Sequence, residues 1–166
     1  MKRLVSITSQ LIEDYREINR EQAAAAGRAP NCLIVEDDDN DIQLTEYALK
    51  PLGVSWRVAR TGEEAISFLN ESKDPKKPDF DILFLDLVLK GSAAQGIQVL
   101  EYVRRNFPSV HIVLVSGHVD SGILDLVRKH KGQGAYLGIV TKPLNREDAH
   151  EIFKKHNLPV SQGYEI

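Results

Sequence analysis

From Cys32 onward the chain alternates short apolar runs with longer amphipathic stretches, five times over, and few folds accommodate that rhythm. The runs are Cys32–Val35, Val54–Ala59, Ile82–Leu85, Val110–Val115 and Tyr136–Val140. The stretches that follow them are Ile42–Leu52, Glu63–Leu69, Gly96–Phe107, Ile123–Lys129 and Arg146–His156. Val, Ile and Leu dominate the runs without polar alternation, as in strands of a parallel sheet covered by helices on both faces. Pro75, Pro78, Pro108, Pro143 and Pro159 fall between the elements, where a missing N–H does least harm. Five units are too few for an eight-fold barrel and suit an open sheet. The pattern predicts an α/β domain over residues 31–158, built as a (βα)5 doubly wound parallel five-stranded sheet.

Residues 1–30 read differently. Leu4, Ile7, Leu11, Tyr15 and Ile18 fall at helical spacing, Ala23 to Ala26 extend the pattern, and Gly27 and Pro30 end it. The spacing predicts an extra N-terminal helix over residues 4–26. Leu4, Leu11, Ile18 and Ala25 repeat every seven residues, so this stripe is expected to fold back on the domain or to pair two copies as a homodimer. Residues 159–166 are expected to be a short tail, too short for a DNA-binding output domain.

Composition excludes several classes. Lys and Arg total 21 against 24 Asp and Glu, a net charge of -3, without the basic footprint of a nucleic-acid binder. Cys32 is the only cysteine and has no partner for an intramolecular disulfide. No apolar run approaches the ~18 residues of a membrane helix, and no signal-peptide core follows the basic start. A cytoplasmic location is the expectation.

In an open α/β sheet, ligands bind at the carboxyl ends of the strands. Here the first run ends in Glu36-Asp37-Asp38, the third in Asp86, the fourth in Ser116-Gly117 and the fifth in Thr141-Lys142-Pro143. Folding gathers carboxylates, a hydroxyl and an ammonium at one edge. Clustered carboxylates repel one another. A hard cation such as Mg²⁺ relieves that repulsion, and a neighbouring lysine suits an anion such as a phosphoryl group.

With these four motifs in this order, residues 31–157 resemble the receiver domain of two-component response regulators, of the single-domain chemotaxis-regulator type. The resemblance implies the flavodoxin-like strand order 2-1-3-4-5. It implies a phosphorylation-dependent switch, not an enzyme, that accepts a phosphoryl group on Asp86 from a sensor histidine kinase or a histidine phosphotransfer protein. Glu36, Asp37, Asp86 and the Val88 backbone carbonyl would hold Mg²⁺, Glu36 largely through a water. Ser116 and Lys142 would hold phosphoryl oxygens, and Val88 and His118 would tune the lifetime of the phosphorylated state. Output would pass to a downstream protein through the face of the fourth helix, fifth strand and fifth helix, without direct contact to nucleic acid or membrane. The chain departs from the family at Ile139, where an aromatic residue is usual, with Tyr136 on the opposite strand face. It is also longer than usual near Lys131–Gly138.

Other readings use the same residues. The domain could be a docking module indifferent to phosphorylation, the receiver segment of a hybrid kinase, or a flavin-binding relative, although an anionic cofactor phosphate suits these carboxylates poorly. Asp37, Asp39 and Asp41 alternate as in a calcium loop, but Ile42 and Ala48 stand where that loop needs Gly and Glu. Asp38, Asp39 or Asn40 is expected to cap the first helix. Cys32 and Trp56 read as packing residues.

Overall fold

The structure is a computed structural model that describes residues 29–160 except 131 and 136. The expected N-terminal helix and its expected pairing stripe lie outside the described residues, as do Tyr136 and most of the C-terminal tail. Among the described residues, five strands alternate with five α-helices. They are β1 (Asn31–Val35), α1 (Asp39–Leu49), β2 (Ser55–Ala59), α2 (Gly62–Asn70), β3 (Ile82–Leu85), α3 (Gly96–Asn106), β4 (His111–Ser116), α4 (Ser121–His130), β5 (Leu137–Thr141) and α5 (Arg146–Lys155). All strand pairs are parallel, in the order β2-β1-β3-β4-β5, as the resemblance implies.

The unbroken apolar runs have a plain cause. In β1 and β3 successive side chains point to opposite sheet faces, and both faces are buried. Cys32, Ile34, Ile82, Phe84, Val113 and Val115 pack beneath α1 and α5, against Leu49, Ile152 and Phe153. Leu33, Val35, Leu83, Leu85, Ile112 and Leu114 pack against α2, α3 and α4, meeting Leu69, Val99 and Val103. Cys32 is a buried thiol, and burial pushes its pKa up. Trp56 packs against the α1–α5 core, and its indole N–H donates to Glu46 Oε1 at 3.0 Å.

Helix starts follow the capping residues. The Asp38 carboxylate accepts the N–H groups of Asn40 and Asp41, Thr61 accepts that of Glu64, and Asn145 accepts that of Asp148. Most boundaries shift by one to three residues, and the end of the first helix differs in kind. The first helix does not run to Leu52: it closes at Leu49, and Lys50–Leu52 forms a single 3-10 turn. Pro51 has no N–H to continue the helix, and Gly53, at φ 67°, reverses the chain. No helix among the described residues is long and apolar enough to cross a membrane.

Candidate functional site

Parallel register brings four strand ends to one edge. Val35 pairs with Leu85, Leu85 with Leu114, and Ser116 with Thr141, so the residues following each strand are neighbours in space. The ladder continues one step beyond the strands. Asp86 N–H donates to the Val35 carbonyl at 3.0 Å, and Lys142 N–H donates to that of Ser116 at 2.8 Å.

Lys142 organises the centre. Its Nζ lies 2.6 Å from Glu36 Oε2, 2.8 Å from Asp41 Oδ2 and 2.7 Å from Asp86 Oδ2. An ammonium has three N–H donors, and each has a carboxylate. Burial opposes the charge on Lys142, but these three hydrogen bonds outweigh it and hold the pKa well above the ordinary lysine value. Glu36 is buried, with both oxygens engaged: Oε1 accepts the N–H groups of Asp37 and Asp38, and Oε2 takes Lys142. Burial raises its pKa, the bonds from Lys142 and Asp38 pull it back, and the Asp86 charge raises it further. Asp86 is held at both ends, because its Oδ1 accepts the Val88 N–H at 3.0 Å.

Carboxylate oxygens of Glu36, Asp37 and Asp86 lie within 4.8 Å of one another. Three hard oxygen donors at that spacing, two of them sharing the Lys142 ammonium, fit a hard divalent cation. The structure thus brings together the expected Glu36, Asp37, Asp86 and Lys142. Val88 follows on the acceptor loop and is 67% exposed. Ser116 is buried at the end of β4, and its hydroxyl is occupied by its own loop: it donates to the His118 carbonyl at 2.6 Å and accepts the His118 N–H at 3.3 Å. His118 is exposed. Asp41 is the member the sequence reading did not assign. It sits in the first turn of α1, four residues after Asp37, and lines the same pocket as Glu36, Thr45, Asp86 and Lys142.

A parallel five-stranded sheet with carboxylates and a lysine at its carboxyl edge defines a receiver-like architecture. Comparison with known proteins agrees: the sequence model of the response regulator receiver domain matches residues 32–154, so the chain belongs to that family. It is 30% identical over 121 residues to the nitrogen assimilation regulatory protein NtrX of Azorhizobium caulinodans, covering 72% of this chain and 24% of that protein. It is 29% identical over 126 residues to the transcription factor SKN7 of Candida albicans, covering 76% of this chain and 20% of that one. The chain thus spans about a quarter or less of these relatives. Among solved structures, the bacteriophytochrome response regulator AtBRR aligns with a TM-score of 0.64 at 26% identity, covering 83% of this chain and 99% of that one. The receiver domain of NtrX from Brucella abortus, at 23% identity and a TM-score of 0.60, covers 75% of this chain and 96% of its own and shares the fold.

Proposed function

We propose that the chain is a phosphorylation-controlled receiver acting in the cytoplasm, a switch rather than an enzyme, with Asp86 as its phosphoacceptor. The observation that carries this reading is the Asp86 carboxylate, 2.7 Å from the Lys142 ammonium and within 4.8 Å of the Glu36 and Asp37 oxygens. A carboxylate oxygen of Asp86 attacks the phosphorus of a phosphohistidine on a kinase or phosphotransfer protein. The P–N bond breaks, the imidazole leaves, and an acyl phosphate remains. Glu36, Asp37, Asp86 and the Val88 carbonyl would hold Mg²⁺, which when bound supplies positive charge for the transferring group. Phosphoryl transfer depends mainly on positioning and charge neutralisation, which these residues provide.

Lys142 exchanges its bond to Asp86 for one to a phosphoryl oxygen. Ser116 gives up the His118 carbonyl to hold another oxygen, moving the loop that leads into α4. That movement changes the α4–β5–α5 face presented to a downstream protein. Val88 and His118 flank the pocket and set how readily water reaches the acyl phosphate.

Incubation with acetyl phosphate and MgCl₂, followed by intact mass spectrometry, tests the reading. The wild-type chain gains one phosphoryl group, and Asp86→Asn gains none. Equal labelling of Asp86→Asn overturns the acceptor assignment. A wild type that binds Mg²⁺ but is not labelled is a docking module instead.

A further inference from the structure

The segment from Asp86 to Gln95 connects β3 to α3 without helix or strand, and it carries both the acceptor and the Val88 carbonyl. Such a stretch needs fastening if Asp86 is to keep one orientation. Three side chains fasten it: Gln95, Glu63 and Ser92. From within, Gln95 Oε1 accepts the Leu89 N–H at 3.0 Å, while its Nε2 donates to the carbonyls of Leu89 and Ser92 at 2.9 and 2.7 Å. From outside comes Glu63, in the first turn of α2. Its Oε1 accepts the N–H groups of Ala93 and Ala94 at 2.8 and 3.1 Å, and its Oε2 lies 2.7 Å from Ser92 Oγ. Ser92 Oγ in turn accepts the Gly62 N–H at 2.9 Å.

The approach is close: a Cβ on Gly62 would stand 2.0 Å from the Ala94 carbonyl oxygen. Leu89, within the loop, is buried, and the Val88 N–H before it bonds to Asp86 Oδ1. A continuous chain of contacts therefore runs from α2 through Glu63, Ser92, Gln95 and Leu89 to the acceptor carboxylate.

We infer that Glu63 is a positioning residue for the phosphoacceptor site, holding the Asp86–Gln95 loop so that the Asp86 carboxylate and the Val88 carbonyl face the metal position together. The inference rests on the receiver reading above. Releasing the loop adds conformations in which Val88 turns away, so cation affinity falls before the fold does. Outer-shell partners of metal ligands typically change affinity about tenfold or more. Glu63 never touches the cation or the phosphoryl group, so excess Mg²⁺ compensates for its loss.

The test uses the full chain and three variants, Glu63→Ala, Glu63→Gln and Ser92→Ala. MgCl₂ affinity is measured by calorimetry, labelling by acetyl phosphate is followed across Mg²⁺ concentrations, and amide hydrogen exchange is followed over residues 86–95. Glu63→Ala is expected to bind Mg²⁺ about tenfold more weakly, to label slowly at low Mg²⁺ and at the wild-type rate at saturating Mg²⁺, and to exchange faster at Ala93 and Ala94. Glu63→Gln, which keeps one acceptor oxygen, and Ser92→Ala are expected to fall between the two. A labelled wild type whose folded variants equal it in Mg²⁺ affinity and in low-Mg²⁺ labelling overturns the inference and leaves the receiver reading standing. A wild type that is not labelled overturns both.

Discussion

Lys142 is where single residues matter most. It satisfies Glu36, Asp41 and Asp86 at once, so truncating it leaves three carboxylates facing one another with no cation. Removing one partner of a largely buried ion pair costs about 3 kcal/mol, chiefly because the remaining charge stays desolvated. Lys142→Met should lower unfolding free energy by about that amount without Mg²⁺, and added MgCl₂ should restore more stability to the variant than to the wild type. Urea titrations with and without MgCl₂ check this; equal Mg²⁺ stabilisation of both proteins would contradict it. Val88 gives a second prediction. Its exposed side chain cannot hydrogen-bond a water, so Val88→Asn should shorten the phosphorylated lifetime severalfold at a pocket where water alignment controls hydrolysis. Following the decay by mass spectrometry measures it, and an unchanged or longer lifetime refutes it. Glu36, Asp37, Asp86 and Lys142 were legible because each ends an apolar run. Asp41 and Glu63 were not, because each lies in a helix and its reach depends on how that helix is rotated against the sheet.

At the level of elements, the strand–helix alternation was readable because burial on both sheet faces forces continuous apolar runs in β1, β3 and β4, while the edge strand β2 alternates exposed and covered residues. Boundaries were less readable. The Ile42–Leu52 pattern stays apolar past Leu49, and only the geometry of Pro51 and Gly53 separates helix from turn. Close approaches left no pattern either. Gly96 opens α3 directly behind the acceptor, and a Cβ there would lie 2.1 Å from the Asp86 carbonyl oxygen and 2.5 Å from Leu87 Cα. Both atoms are backbone and cannot move without shifting the acceptor loop. Gly96→Ala should therefore cost about 3 kcal/mol, the upper end for overpacking, and slow labelling even at saturating Mg²⁺. That last property separates it from Glu63→Ala, whose defect Mg²⁺ corrects. Thermal melts and labelling rates together decide the point, and a Gly96→Ala protein with wild-type values would show that α3 is free to retreat.

Across the whole molecule, the two ends of the sheet carry different chemistry. The carboxyl edge holds the acidic cluster around Lys142, while the opposite edge holds a histidine pair. His111 begins β4 and His156 follows α5, with ring centroids 5.2 Å apart. Burial lowers the His111 pKa to about 4, helped by the charges of His156 and Arg104. Burial likewise lowers His156 to about 4, with Lys155 adding to the effect. In the unfolded chain both rings titrate near the ordinary value of 6.5. Between those values the unfolded state binds more protons than the folded one, so stability rises with pH there. The contribution is complete above pH ~6.5 and is lost as pH falls toward ~4, worth about 3 kcal/mol for His111 and less for the less buried His156. Urea unfolding at intervals from pH 8 to pH 4 should give a plateau near neutrality and a decline below it. His111→Phe, which keeps an aromatic ring but cannot be protonated, should flatten most of that decline. A wild-type curve level from pH 6.5 to pH 4 would refute the histidine contribution, and a His111→Phe curve as steep as the wild type would place the acid sensitivity elsewhere in the molecule.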